Sequence, residues 1–544
     1  MKLPSLPFRI FIFAASAAIA AAQPVLTPPA APEPRINSPR VFGVRPGSPF
    51  LFKVAATGER PLTFAADGLP AGLSIDAKTG IITGKLTAPG EHRVTLRATN
   101  ARGATTRPLR IIAGDTIALT PPMGWNSWYC WSESVSQENV AAMAGAMVAS
   151  GLADHGWTYI NIDDCWQGKR GGDFGAIQPN EKFPDMAALG ARIHALGLKL
   201  GIYSTLWMGT YAGFIGGTAP AADGDYSSLP LVPENERLQP GQIFGRNPGS
   251  ALRGAQLTGP YQLTAEDARQ YAAWGVDYIK YDWKNSTFQS PPMVKPVRRT
   301  DHPKTPESIE RLSRELRAMN RDIVFSLSPV SDFEIRDALA RHANLWRITK
   351  DIRSDWASLD HVFELGDWYA LSRPGHWSDP DMLQIGSMGV VNKTNRTLRP
   401  SPLTPDEQYT QMSFWCLVSA PLILSCDLTA LDPFTLGLVT NDEVLDIDQD
   451  PLGHAARRVR ATGKIEIWKK PLEDGTIAVG IFNRGETPAP ATITWEELGL
   501  KNKDAQIVRD VWRQKDIATE RESYTAGTVN PHGVILLRLR PAAP

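Results

Sequence analysis

Four acidic side chains directly follow apolar runs, where a fold can hold a carboxylate for chemistry. Asp282 ends the run 277–282, Asp163 and Asp164 close the run that begins at 159, and Asp351 follows the run 345–348. Hydrolysis of a glycosidic bond requires two carboxyl groups that flank the bond. In enzymes that retain the anomeric configuration, these groups are about 5–5.5 Å apart. The four carboxylates are therefore a candidate catalytic set.

Asp282 has the strongest local support of the four. Lys280 precedes it by two positions, so both side chains project from the same face of a strand. A nearby ammonium group favours the ionised carboxylate that a nucleophile requires. The same pattern is compatible with an aspartate that only caps a strand-to-helix turn.

The other two groups are open to two interpretations each. Adjacent Asp163 and Asp164 are able to accept hydrogen bonds from two sugar hydroxyls. They are equally compatible with a divalent-metal site, although no third ligand is recognisable nearby. Asp351 stands close to Arg347 and Lys350, but an acidic residue near cations is also ordinary solvated surface.

The elements that must position these residues are repeated βα units. The 544-residue chain exceeds what one hydrophobic core usually holds, so several domains are expected. Between 116 and 455, apolar strand-like runs alternate with helical stretches. Eight such units predict a central α/β domain, a (β/α)8 TIM barrel, whose catalytic side chains project from the carboxyl ends of the strands. The predicted strands are 124–126, 159–164, 200–204, 277–282, 324–328, 345–348, 375–378 and 421–425.

All-β segments flank the predicted barrel. In residues 38–115, Val94, Leu96 and Ala98 alternate with polar residues, the period of a half-buried strand. This segment resembles the immunoglobulin-like (Ig-like) modules appended to many secreted bacterial enzymes, which implies a spacer or docking role. In residues 456–544, alternation around Ile465 and Ile467 predicts a C-terminal antiparallel β-sandwich with a structural role.

The amino terminus has the pattern of an export signal. In residues 1–22, Lys2 and Arg9 precede an apolar run that ends in small residues. The run is short for a membrane span, and an uncleaved anchor is the alternative. We therefore predict a secreted or periplasmic protein without a membrane span after cleavage. Residues 23–37 are predicted to form a Pro-rich linker.

Charge and cysteine content exclude several classes of protein. Lys plus Arg and Asp plus Glu both total 57, which gives no support for nucleic acid or an anionic membrane as a partner. A bridge between Cys130 and Cys165 is compatible with their positions, and Cys416 and Cys426 are expected to be buried free thiols. No cysteine and histidine spacing is typical of zinc, so no metal is predicted.

Seven motifs in a fixed order carry a resemblance to glycoside hydrolase family twenty-seven, which includes α-galactosidases and α-N-acetylgalactosaminidases. The motifs span the predicted barrel and its end, and they lie at residues 121–128, 161–166, 198–203, 274–282, 375–383, 419–422 and 448–453.

The resemblance implies a retaining mechanism without a cofactor. It assigns Asp282 as the nucleophile and Asp351 as the acid/base. It also implies that Asp163 and Asp164 hold the C4 and C6 hydroxyls of galactose. The complete substrate-binding set that it implies is Trp128, Asp163, Asp164, Tyr203, Lys280, Ser328, Arg347 and Asp381, with Met382 beside the last.

Three departures from the family pattern concern specificity. Trp283 and Lys284 follow Asp282 where many members carry a bridging cysteine. Ser328 replaces a glutamate that binds the C2 hydroxyl in α-galactosidases, and small residues there are typical of α-N-acetylgalactosaminidases. An insert at about 218–259 either shapes the rim of the site or is a surface excursion.

We therefore predict an exo-acting α-galactosidase that binds carbohydrates with a terminal α-galactosyl group. An α-N-acetylgalactosaminidase is the first alternative. A β-L-arabinopyranosidase is the second, although the intact Asp163-Asp164 pair speaks against it. A non-catalytic sugar-binding barrel is a third, and aspartates at both catalytic positions speak against that. The oligomeric state is not predicted.

Overall fold

The computed structural model describes residues 25–220, 261–282, 306–328, 333–389, 397–501 and 504–542. The predicted export signal lies outside these residues. So do Trp283, Lys284 and nearly all of the predicted insert.

The amino-terminal module consists of two small sheets and a short pair of strands. Its strands are β1 (Arg35–Ile36), β2 (Val41–Val44), β3 (Pro49–Lys53), β4 (Ala56–Thr57), β5 (Thr63–Asp67), β6 (Leu73–Ile75), β7 (Ile81–Lys85), β8 (Gly90–Asn100) and β9 (Gly103–Ala113). The sheets have the orders β2-β9-β8-β5 and β3-β7-β6, and β1 pairs with β4. Val94, Leu96 and Ala98 of β8 are buried in the core between the sheets, as their alternation predicts.

Eight parallel strands form the central sheet, and the prediction of a barrel is confirmed. They are β10 (Met123–Asn126), β11 (Tyr159–Ile162), β14 (Lys199–Thr205), β15 (Val276–Asp282), β16 (Val324–Ser328), β17 (Leu345–Arg347), β18 (Trp377–Asp379) and β21 (Leu422–Leu424). Their order is β18-β17-β16-β15-β14-β11-β10-β21. A parallel bridge from Leu383, just after β18, to Leu424 of β21 brings the two ends of the sheet together.

The inward face of the barrel changes from apolar to polar along the strands. Near the amino ends, Tyr159, Tyr278 and Trp377 pack together in one buried cluster. Alternate residues of a strand share a face, so Lys280 and Asp282 follow Tyr278 on the inward side. The packed layer therefore forms a floor, and the charged layer lies at the carboxyl ends.

Within the described residues, two small hairpins and eleven α-helices complete this region and its junctions. The hairpin strands are β12 (Gln167–Gly171), β13 (Ala176–Pro179), β19 (Ser387–Gly389) and β20 (Leu398–Pro400). The helices of the described residues are α1 (Trp128–Trp131), α2 (Gln137–Ala149), α3 (Met186–Ala195), α4 (Thr264–Ala273), α5 (Pro306–Arg317), α6 (Arg336–His342), α7 (Trp356–Val362), α8 (Gly366–Tyr369), α9 (Pro405–Leu417), α10 (Pro433–Val439) and α11 (Asp442–Asp448).

The carboxyl-terminal domain is antiparallel, as predicted. Its strands are β22 (Arg457–Thr462), β23 (Ile465–Pro471), β24 (Ile477–Asn483), β25 (Ala489–Thr494), β26 (Gln506–Asp510), β27 (Lys515–Glu520), β28 (Ser523–Val529) and β29 (Val534–Pro541). Six form a sheet of order β22-β23-β24-β29-β26-β27, and β25 pairs with β28. Helix α9 packs on this sheet, and Lys470 of β23 donates to the Cys416 carbonyl at the end of α9 (3.0 Å).

The amino-terminal module packs against the amino-end face of the barrel. Arg45 donates from its backbone to Asp322 (3.0 Å) and from Nε to the same carboxylate (2.8 Å), just before β16. Its guanidinium also reaches three backbone carbonyls of the segment 317–321. Part of the predicted linker also contacts the barrel region, because the Leu26 amide donates to the Tyr409 hydroxyl of α9 (2.9 Å).

Cys130 and Cys165, whose pairing the sequence left open, do not form a disulfide bond. All four cysteines are buried thiols outside any disulfide bond, which confirms the expectation for Cys416 and Cys426. Cys165 follows Asp164 just after β11. Cys130, on α1, instead lies close enough to Cys426 to raise the pKa of that thiol, after burial as the main cause.

No helix within the described ranges is long and apolar enough to cross a lipid bilayer.

Candidate active site

The carboxyl ends of β14, β15 and β16 bring the candidate nucleophile next to residues from both neighbouring strands. Asp282, the last residue of β15, lies in register with Thr205 of β14 and Ser328 of β16. The Thr205 hydroxyl donates to the Asp282 carbonyl (2.9 Å), which holds the strand end in place. The Asp282 side chain is therefore presented from a fixed backbone at the open end of the barrel.

The Asp282 carboxylate accepts a hydrogen bond from the Tyr203 hydroxyl (2.7 Å). Burial raises the pKa of Asp282, while Lys280 and the Tyr203 hydroxyl act in the opposite direction, and the net pKa is raised. Lys280 favours the ionised form of Asp282, as the sequence predicts, but the pKa of Asp282 is nevertheless raised. Desolvation outweighs this single ammonium group, and the negative charge of a second carboxylate adds to the rise.

That second carboxylate is Asp163, whose Oδ2 accepts from Lys280 Nζ (2.7 Å) and from Asn126 Nδ2 (2.7 Å). Burial lowers the pKa of Lys280, but Asp163 and Asp282 more than offset it, so the pKa is raised and the lysine stays charged. Lys280 Nζ also lies 5.7 Å from the centroid of the Tyr203 ring. One cation therefore links the Asp163 side of the site to the Asp282 side.

Asp164 is buried and held by backbone amides. The Cys165 and Ala212 amides each donate to one of its oxygens at 2.7 Å. Burial raises the pKa of Asp164 to about 7, although the Ala212 amide and the Thr210 side chain oppose that rise. A carboxylate oxygen can accept two hydrogen bonds, and Asp163 Oδ1 and Asp164 Oδ1 each accept one backbone amide, from Asp164 (2.9 Å) and Cys165 (2.7 Å). Asp163 and Asp164 therefore retain acceptor capacity for hydroxyl groups.

Asp351 is the most exposed of the candidate carboxylates, with 75% of its side chain accessible. It contacts the guanidinium of Arg347, which is itself 4% exposed. Burial lowers the pKa of Arg347, but Asp381 and Asp351 more than offset that, so this guanidinium stays charged. A buried, fixed cation thus anchors an exposed carboxylate at the mouth.

Asp381 supports the loop that carries Asp351. It accepts from the Ile352 amide (2.9 Å) and the Met382 amide (2.8 Å), and it lies 3.4 Å from Arg347. Burial raises its pKa, and Arg347 opposes the rise. The backbone of Asp381 has φ +89°, a left-handed conformation that costs about 1 kcal/mol or more outside glycine. Its side chain thus positions Arg347 and residue 352.

Two aromatic residues predicted as pocket walls are each linked by hydrogen bonds to one of the carboxylates. Tyr203 is 1% exposed and contacts Asp282, as described above. Trp128 begins α1, and its amide donates to Asn126 Oδ1 (2.9 Å). Because Asn126 also donates to Asp163, the position of Trp128 is coupled to that carboxylate.

Ser328 lies on the strand beside Asp282 and is 3% exposed. Within the described residues its hydroxyl oxygen has no hydrogen-bond partner. A buried hydroxyl without a partner costs roughly 1–3 kcal/mol, so such a group in a site is often completed by a ligand.

Sequence reasoning missed several residues that hold the site together. Asn126 could have been found, because it is a polar residue at a predicted strand end inside the first motif. The Ala212 amide and the Tyr129 hydroxyl, which donates to the Ile352 carbonyl (3.1 Å), could not. Both contacts depend on loops that meet only in three dimensions. No group of three metal-binding side chains occurs in the part of the chain that the structure describes.

Comparison with known proteins identifies the family of this chain. The family model described as "Alpha galactosidase A" matches residues 120–227 and 249–450. The chain belongs to glycoside hydrolase family twenty-seven. The family's "Alpha galactosidase C-terminal beta sandwich domain" matches residues 462–539, and "Putative Ig domain" matches residues 33–112. The resemblance stated from the motifs is thereby confirmed, and the chain is a glycosidase of the α-galactosidase type.

Relatives match over most of the chain. Alpha-galactosidase 2 of Arabidopsis thaliana is 31% identical over 426 residues, covering 78% of this chain and 90% of the relative. The alpha-N-acetylgalactosaminidase of Gallus gallus is 29% identical over 464 residues, covering 78% of this chain and 95% of the relative.

Solved structures extend the family match to the amino-terminal module. A Bacteroides fragilis "putative alpha-galactosidase/melibiase" has a TM-score of 0.77 at 30% identity, covering 95% of this chain and 99% of its own. A family β-L-arabinopyranosidase from Geobacillus stearothermophilus has a TM-score of 0.64 at 27% identity, covering 78% of this chain and 97% of its own.

Proposed function

We propose that the chain is a retaining exo-α-galactosidase that removes terminal α-galactosyl groups from oligo- or polysaccharides outside the cytoplasm. Asp282 is the nucleophile and Asp351 the acid/base. The observation that carries the proposal is that both carboxylates lie where barrel strands end, Asp282 at the end of β15 and Asp351 after β17. One is held by Tyr203 on a strand end, and the other by Arg347 at the exposed mouth.

The mechanism has two displacements. In the first, an Asp282 oxygen attacks the anomeric carbon, the bond to the leaving oxygen breaks, and Asp351 gives that oxygen a proton. The nucleophile must be ionised, and Tyr203 and Lys280 are the groups that favour this form. In the second, Asp351 removes a proton from water, whose oxygen attacks the anomeric carbon and releases Asp282. The exposure of Asp351 suits a group that meets both solvent and leaving group.

Galactose recognition is proposed to rest on Asp163 and Asp164. Their remaining lone pairs would accept the C4 and C6 hydroxyls, while Lys280 and Arg347 donate to other hydroxyls of the same sugar. Trp128 and Tyr203 form the walls, and Asp381 positions Arg347.

Ser328 favours a second candidate, an α-N-acetylgalactosaminidase. Its side chain is small and buried beside Asp282, and its hydroxyl oxygen has no partner among the described residues. A small residue leaves volume for a substituent at C2, and its hydroxyl is available to that substituent. The family includes enzymes with this activity, such as the Gallus gallus relative.

Three nitrophenyl glycosides distinguish the substrates: α-galactoside, α-N-acetylgalactosaminide and β-L-arabinopyranoside. We expect the highest kcat/KM on the α-galactoside. Cleavage of the α-N-acetylgalactosaminide alone would overturn that assignment in favour of the second candidate. NMR of the first sugar released is expected to show the α anomer, and initial release of the β anomer would exclude retention.

Azide rescue tests each catalytic assignment separately. With Asp282→Ala, azide occupies the space of the nucleophile and attacks the α-galactoside from the opposite face, so the expected product is β-galactosyl azide. With Asp351→Ala, azide attacks the glycosyl-enzyme intermediate, and α-galactosyl azide is expected. Near-normal turnover of either variant, or exchanged azide anomers, would contradict the assignment.

A further inference from the structure

A short hairpin at the rim of the site presents an exposed aromatic ring. Residues 209 and 215 form an antiparallel bridge, and the Thr210 amide donates to the Phe214 carbonyl (2.8 Å). The Phe214 amide in turn donates to the Thr210 hydroxyl (3.0 Å). These bonds close the turn between them, so Tyr211 at its tip has a defined position.

Asp164 fixes this hairpin to the site from both sides of Tyr211. The Ala212 amide donates to Asp164 Oδ2 (2.7 Å), and the Thr210 side chain is also hydrogen-bonded to that carboxylate. Thr210 is completely buried and Ala212 is 7% exposed, whereas Tyr211 is 38% exposed. The flanking residues therefore face the carboxylate, and the Tyr211 ring projects outwards.

The Tyr211 ring meets Trp128 at the mouth. The ring centroids are 6.1 Å apart and the planes are inclined by 79°, an edge-to-face contact. Tyr129, next to Trp128, donates its hydroxyl to the Ile352 carbonyl (3.1 Å), adjacent to Asp351. The aromatic pair thus lies on the wall of the site that also holds the proposed acid/base, Asp351. The leaving group departs beside that residue, because Asp351 gives it a proton.

We propose that Tyr211 is a platform for the sugar ring of the leaving group, and that it gives the enzyme a preference for oligosaccharides over small α-galactosides. The proposal rests on the proposed α-galactosidase function. A pyranose presents an apolar C–H face, and a rigid aromatic ring with a large accessible area binds such a face at low entropic cost. Trp128 orients this ring by its edge contact.

The test compares two substrates that share the galactosyl group. One is an α-(1→6)-galactosyl disaccharide, and the other is α-galactosyl fluoride, whose leaving group is a single atom. The readout is the ratio of kcat/KM for the disaccharide to kcat/KM for the fluoride. We expect Tyr211→Ala to lower this ratio about three- to tenfold, the range of one aromatic contact. Tyr211→Phe keeps the ring and is expected to keep the ratio.

Ile517→Ala is the matched control, because Ile517 is similarly exposed (41%) but lies in the carboxyl-terminal domain. A ratio for Tyr211→Ala within twofold of the wild-type ratio would overturn the platform, even if both rates fall together, since that result indicates a displaced hairpin. If the wild-type enzyme hydrolyses neither substrate, the proposed function itself fails, and the platform with it.

Discussion

The two ends of strand β15 carry aspartates whose pKa values are shifted in opposite directions. Near the start, Asp277 accepts from Arg321 (2.6 Å) and the Leu200 amide (2.9 Å), and it lies 2.8 Å from His194 Nε2. Burial raises the pKa of Asp277, but these partners outweigh burial and hold it below its usual value. At the end, burial raises the pKa of Asp282, and its partners do not offset the rise.

This difference separates charges that stabilise the fold from charges held for chemistry. At the amino end, Asp277 is paired with Arg321 and Asp322 with Arg45. At the carboxyl end the cations Lys280 and Arg347 are shared among more carboxylates than they can neutralise. Ionised carboxylates at this end lower the free energy of unfolding. Binding of a ligand, or protonation of a carboxylate, is therefore expected to stabilise the catalytic end.

The largest expected effect is on catalysis. Asp282→Asn removes the nucleophile, and we expect kcat on nitrophenyl α-galactoside to fall at least about 10³-fold. Because the ionised carboxylate is costly, the free energy of unfolding measured in urea is expected to stay the same or rise. A loss of more than about 1 kcal/mol would show that Asp282 also stabilises the fold.

The pH dependence of stability tests Asp164. Its folded pKa of about 7 exceeds the usual 3.8, so between these values the folded chain binds a proton that the unfolded chain has lost. Stability therefore falls as pH rises through this window, by up to about 4 kcal/mol.

Asp164→Asn is expected to remove this contribution. We would measure urea unfolding of both proteins at pH 4.5 and 7.5, where the wild type should lose more stability than the variant. Equal changes in the two proteins would contradict the raised pKa of Asp164.

At the amino end, the contact between the Ig-like module and the barrel is expected to contribute to stability and not to catalysis. Arg45→Ala removes the guanidinium from Asp322 and from three carbonyls, although Asp322 keeps the backbone amide of residue 45 and the Ser48 hydroxyl, so the free energy of unfolding should fall by about 2–4 kcal/mol while kcat is unchanged. Arg93→Ala is the matched control, because Arg93 is 80% exposed in its pair with Glu91. Similar losses in both variants would contradict a specific clamp.

Asp277→Asn gives the smallest effect and the direct counterpart to Asp282→Asn. It weakens the contacts with Arg321 and His194, and we expect a loss of about 1–3 kcal/mol at neutral pH. A lowered carboxyl pKa contributes stability above the usual pKa near 3.8 and loses it as pH falls below that value. The wild-type and variant stabilities should therefore converge near pH 3, and a difference that persists there would contradict this origin.

The barrel could be predicted because its signals are local. Each strand is a short apolar run, and Asp163 and Asp282 stand at the ends of such runs, so chain order and a two-residue period sufficed to place them. Exact bounds were less accessible: β18 is Trp377–Asp379 rather than 375–378, because pairing with β17 decides where a strand starts.

The sequence by itself determined the barrel, the two all-β flanks and the set of acidic residues at the open end. Only the tertiary structure decided how those charges are shared. Lys280 pairs with Asp163, 117 positions away in sequence, and Asp381 with Arg347, 34 positions away. The physical reason is that a carboxylate's pKa depends on burial and on every charge within a few ångströms. Those distances exist only after the strand ends have met.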